Sequence, residues 1–145
     1  MSVESFLDTN LFVYQLEAGD DHKATVADDL IRRGIASGTA CISFQVVQEC
    51  LNTIHGKAEL PLGLEDTRRY LDAVLKPLWL VMPTTTLYQH ALDLQARYRY
   101  GFYDSMIIAA ALGAGCTRLY SEDMQHGQQI ERLVIENPFL EGRRT

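Results

Sequence analysis

Residues 103–114 are apolar on every side, and Met106-Ile107-Ile108-Ala109-Ala110-Ala111-Leu112 offers no polar face to water. A helix made of this segment must be buried all round, and its small residues let it lie close against a sheet. Gly113 and Gly115 supply its C-terminal stop. Asp104 opens the run among apolar neighbours, with no adjacent lysine or arginine to neutralise it. Such a carboxylate needs a partner from elsewhere.

The remaining chain alternates between short apolar runs and helical periodicity. Residues 3–8 read as a strand, and residues 9–16 as a helix that follows at once. Gly19-Asp20-Asp21 marks a turn and helix start, after which Ala24, Ala27, Leu30, Ile31 and Ile35 recur at helical spacing. Acidic residues lead that helix and Arg32-Arg33 close it, which complements its dipole. Residues 39–43 form a second strand, with Ser43 able to cap a helix over 44–55. The pattern breaks across 55–63, resumes as a helix over 64–75, and is expected to end at Pro77. Residues 78–82 read as a strand. Thr84 to Thr86 then offer a cap for the amphipathic helix carrying Leu87, Ala91, Leu94 and Tyr98. Short strands at 119–121 and 133–135 complete the set. This order predicts one α/β domain over residues 1–145, with a mainly parallel sheet whose ligand edge is at the carboxyl ends of its strands.

Four acidic residues bear on that edge. Asp8 closes the first strand, and Glu49 lies one turn into the helix after the second. Asp104 opens the apolar helix, and Asp123 follows the strand at 119–121. Crowded together, four carboxylates would repel and take up protons unless a cation neutralised them. A hard, oxygen-loving ion such as Mg²⁺ or Mn²⁺ suits that task, which outlines a metal-dependent phosphodiesterase. Taken singly, each residue also has a plainer reading. Asp8 and Asp104 suit helix starts. Glu49 lies on a polar flank with Gln45 and Asn52 and reads as solvated. Glu122 and Asp123 are adjacent, so one can be a ligand while the other faces solvent.

Composition narrows the classes. At 145 residues, 47% hydrophobic and 22% charged, the chain has the balance of a soluble globular protein. No apolar stretch reaches the roughly 18 residues of a membrane span, and no secretory signal is recognisable, so a cytoplasmic location is expected. Net charge is −6 and the pI near 5.1, which disfavours a broad basic face for nucleic acid. Any such contact should be local, through metal and a few cations, with Lys57, Arg97 and Arg99 as candidates. Cys41, Cys50 and Cys116 form no CxxC pair and read as buried thiols. His22, His55, His90 and His126 lack metal-ligand spacing; His22 and His90 read as exposed, His126 as a loop-packing residue. Walker, GxGxxG and GxSxG motifs are absent.

Five blocks carry a resemblance. Phe6-Leu7-Asp8-Thr9-Asn10, Ile42-Ser43-Phe44-Gln45-Val46-Val47-Gln48-Glu49, Phe102-Tyr103-Asp104-Ser105-Met106-Ile107-Ile108-Ala109-Ala110-Ala111, Leu119-Tyr120-Ser121-Glu122-Asp123-Met124-Gln125-His126-Gly127 and Asn137-Pro138-Phe139 resemble, in order, those of PIN-domain proteins. They are most similar to the VapC-like ribonuclease toxins of bacterial toxin–antitoxin pairs. The resemblance implies an α/β/α sandwich around a five-stranded parallel sheet, a homodimer, and an Mg²⁺- or Mn²⁺-dependent endoribonuclease. It implies catalytic and metal-holding roles for Asp8, Glu49, Asp104 and Asp123, with Asn10 and Ser121 in support. It also implies an RNA substrate and a cognate antitoxin. Glu122 beside Asp123 departs from the pattern and leaves the fourth acid open. Rival readings are an RNA-processing nuclease that is not a toxin, a phosphatase on small substrates, and a non-catalytic interaction module of the same fold.

Overall fold

The computed structural model describes residues 2–17, 20–56 and 62–140. Gly19 of the expected turn and the candidate cation Lys57 lie outside them. The elements are β1 (Ser5–Leu7), α1 (Thr9–Leu16), α2 (Asp21–Ser37), β2 (Ala40–Ser43) and α3 (Phe44–Gly56). They continue with α4 (Leu64–Tyr70), a π turn (Leu71–Leu75), α5 (Lys76–Leu78), β3 (Trp79–Val81), α6 (Thr85–Tyr98) and α7 (Phe102–Gly113). The chain ends in β4 (Arg118–Tyr120), β5 (Gln129–Ile130) and β6 (Leu133–Glu136).

The strands form one sheet in the order β3-β2-β1-β4-β6-β5, flanked by helices. The pairs β1–β2, β1–β4, β2–β3 and β4–β6 are all parallel. Five strands therefore point their carboxyl ends to one edge, as the alternating pattern predicts. The sixth, β5, was not expected. It is two residues long and runs antiparallel to β6, reached through a tight turn that holds Glu131 at φ 55°. Two residues carry no readable alternation.

α7 is buried from Ser105 to Leu112, as its composition requires, and packs on β2 and β4 with α6 against it. Its end is tied by Gly115, at φ 86°, whose N–H donates to the Leu112 carbonyl, while the Cys116 N–H reaches Ala111. On α2, Gly34 sits where a β-carbon would come within 2.6 Å of the Ala40 side chain, so the α2 backbone lies directly against the Ala40 methyl of β2.

One expectation needs correction. Pro77 does not end its helix. The helix widens into the π turn, where the Lys76 N–H donates to Leu71, and Pro77 enters the short α5. The wider turn accommodates a ring that would otherwise clash with the carbonyl four residues back. The apolar run at 78–82 does form a strand, but an edge strand: Trp79, Leu80 and Met82 are exposed. All three cysteines are free and buried, with Cys41 Sγ 3.7 Å from Cys116 Sγ. Among the described residues no helix is long and apolar enough to cross a membrane.

Candidate active site

Asp8 leaves the end of β1, the strand between β2 and β4, at the edge where the parallel strands finish. It does cap α1: one carboxylate oxygen accepts the Thr9 N–H at 2.7 Å. The other accepts the hydroxyl of Ser121, at the end of β4, at 2.8 Å. Asp8 is buried, and burial pushes its pKa up to about 6 although both hydrogen bonds pull it down. The charges of Glu49 and Asp104 push it further in the same direction.

Glu49 is not loosely solvated. Its Oε1 accepts the Thr9 hydroxyl at 2.6 Å and its Oε2 the Gln45 amide at 3.2 Å. Gln45, read from sequence as a surface residue, is buried and also donates to the Tyr103 carbonyl at 3.1 Å. It thereby joins α3 to the start of α7 beside Asp104. Its spacing of four residues from Glu49 was the available signal, since such pairs share a helix face. Asp104 is half-buried, and its pKa is raised first by burial, then by Asp123 and Glu49.

Asp123 is exposed, and its Oδ2 takes the Asn10 amide at 3.2 Å. Its neighbour Glu122 is engaged elsewhere. Tyr14 donates to one Glu122 oxygen at 2.5 Å and Lys23 pairs with the other at 2.5 Å. Of the two adjacent acids, Asp123 is therefore the one turned toward the cluster. The Tyr14 and Lys23 contacts had no sequence signal, because they join residues about a hundred positions apart in the chain. His126 accepts the Asn137 N–H at 3.0 Å in loop packing, and His22 meets the Phe139 carbonyl. His90 is only half-buried, 3.8 Å from Glu131. Arg97 and Arg99 are exposed at the end of α6.

Mutual electrostatic influence thus links Asp8 to Glu49 and Asp104, and Asp104 to Asp123. Among the described residues, no three acid, imidazole or thiol groups close on a single point. Unneutralised carboxylates hold one another apart. The donor set nevertheless suits a hard divalent cation, since every group is an oxygen. Asn10 strengthens the fit: its Oδ1 is a buried acceptor with no hydrogen-bond partner, beside the amide that holds Asp123.

The family model of the PIN domain matches residues 5–128. The chain belongs to the PIN-domain family. No curated protein matches its sequence. Its PIN fold is similar to that of VapBC2 from Rickettsia felis, solved bound to a promoter DNA fragment, with TM-score 0.65 and 19% identity over 92% of this chain and 98% of that one. VapBC from Salmonella typhimurium, solved bound to DNA, has TM-score 0.65 and 20% identity over 92% and 97%. VapC20 from Mycobacterium tuberculosis, described as a sarcin-ricin loop cleaving toxin, has TM-score 0.58 and 20% identity over 83% and 90%. Identities this low carry the PIN fold alone.

Proposed function

We propose that residues 1–145 form a single PIN domain acting as an Mg²⁺- or Mn²⁺-dependent endoribonuclease, the toxin of a toxin–antitoxin pair. One observation carries the reading. Asp8, Glu49, Asp104 and Asp123, up to 115 residues apart, come to one edge of the sheet, where the charges of Glu49 and Asp104 act on Asp8 and those of Asp123 and Glu49 act on Asp104. Support comes from the similar proteins, among them a toxin–antitoxin complex and a toxin described as cleaving the sarcin-ricin loop.

In this reading Asp8, Asp104 and Asp123 would hold the divalent ion, with Asn10 and Ser121 fixing two of them. The ion, when bound, supplies positive charge to a phosphate and makes water more acidic. Glu49, clamped in direction by Thr9 and Gln45, orients the water that attacks phosphorus. The water gives up a proton to solvent as its oxygen bonds to phosphorus, the bond to the leaving ribose oxygen breaks, and that oxygen takes up a proton. A homodimer and a cognate antitoxin belong to the same proposal, and exposed Leu80 on β3 and Met82 just after it leave apolar surface for association.

Purified protein should cut RNA with Mg²⁺ or Mn²⁺, stop in excess chelator, and lose at least about a hundredfold in rate on Asp104→Asn. Full cleavage by metal-stripped protein in chelator would overturn the mechanism. Cleavage without toxicity on expression would leave an RNA-processing nuclease.

A further inference from the structure

α7 is buried over eight successive residues, yet the aromatic ring two positions before that stretch is left in water: Tyr103 is 68% exposed. It stands at the mouth of a cleft of about 360 Å³, within the size range of ligand pockets. Phe44, Tyr88, Phe102 and Met106 line the cleft, and Gln45 and Gln48 give it an amide edge. Phe102 meets Tyr103 edge to face at 5.2 Å, which steadies the exposed ring. The cleft adjoins the acid cluster. Asp104 follows Tyr103 directly, and Gln45 bonds both the Glu49 carboxylate and the Tyr103 carbonyl.

Charge gives this cleft its purpose. A nuclease must hold a polyanion, yet the net charge is −6. Six of the 13 lysines and arginines, namely Lys23, Arg32, Arg33, Arg68, Arg69 and Arg118, are already in ion pairs with carboxylates. Those six are partly committed to carboxylates, and contact with a base would add affinity that does not depend on charge. Every base has a π face that stacks on an aromatic side chain, and its polar edge suits amide donors and acceptors. Only an unpaired base can leave its stack to do so.

We infer that the cleft beside Asp104 receives one unpaired base of the RNA substrate, stacked on Tyr103 with Tyr88 opposite and its edge read by Gln48. The inference rests on the ribonuclease reading and adds that the chain cuts RNA next to an unpaired base. An apolar side chain of a protein partner is the competing occupant. The exposed aromatic face and amide edge suit a base better, and Gln45 ties the lining of the cleft to the Glu49 carboxylate.

The test uses a single-stranded RNA that the wild-type chain cuts, together with the same RNA made abasic on either side of the cut. Tyr103→Ala should raise KM on the order of tenfold to a hundredfold, at low and high salt alike, with little change in kcat. Tyr103→Phe should retain the wild-type KM. One abasic RNA should be as poor a substrate for wild type as the intact RNA is for Tyr103→Ala, and the two defects should not add. Melting temperature with and without Mn²⁺ should match wild type in both variants, which separates stacking from damage to the acids. Unchanged KM in Tyr103→Ala overturns the base subsite while the nuclease stands. So does a loss confined to binding of a protein partner. Failure of the wild-type chain to cut any RNA overturns both.

Discussion

Asp8 is pulled in opposite directions by its surroundings. The Thr9 N–H and the Ser121 hydroxyl favour its charged form, whereas burial and the neighbouring acids favour the neutral one, and burial prevails. Its pKa rises from 3.8 to about 6, so between those values the folded chain holds a proton that the unfolded chain has released. The stability Asp8 contributes is fully present below about 3.8 and is lost as pH rises through about 6. Asp8→Asn keeps one oxygen for the Thr9 N–H, turns its NH2 toward the Ser121 hydroxyl, which can accept as well as donate, and removes the charge. Without divalent cations, the variant should be more stable than wild type at pH 7, by on the order of 3 kcal/mol. The advantage should vanish toward pH 4. Denaturant melts across that range check it, and a variant less stable at pH 7 would make Asp8 chiefly a cap.

The contact of α2 with β2 shows how an element is seated. Gly34 lets the helix backbone descend onto Ala40, and an added β-carbon would meet the Ala40 side chain at 2.6 Å. Both atoms are fixed to backbone, so the helix must lift. Gly34→Ala gains about 1 kcal/mol of helix propensity. Overpacking costs about 1–3 kcal/mol and should outweigh it, lowering the melting temperature. Because α2 also carries Lys23, which holds Glu122 aside, a lifted helix should disturb the loop bearing Asp123. A Gly34→Ala variant as stable as wild type would show that α2 has room to shift.

At the scale of the molecule, the fold gathers like charge at one edge of an already acidic chain. That arrangement is unfavourable until a cation arrives, so binding should appear as stability. Mn²⁺ or Mg²⁺ should raise the melting temperature progressively with concentration, since a ligand of the native state stabilises by mass action. Sodium at equal ionic strength should do much less. Asp104→Asn should blunt the rise, and an equal rise in that variant would place the ion elsewhere.

The sequence by itself determined the class of fold. Periodicity and the all-round apolar α7 dictate a parallel α/β sheet, because each is a property of neighbouring residues. Local signals also set most helix starts, including the caps by Ser43 and Thr84. The four acids were visible as candidates, but Glu49 was singled out only through the family resemblance, since its position on α3 looked solvated. Tertiary structure alone decided what each of them touches. Thr9, forty residues away, holds Glu49, and Lys23 with Tyr14 draws Glu122 away from Asp123. It also extended the sheet by β5 and carried a helix through Pro77. These outcomes depend on groups brought together from distant parts of the chain, and spacing along a sequence carries no record of which side chains will meet.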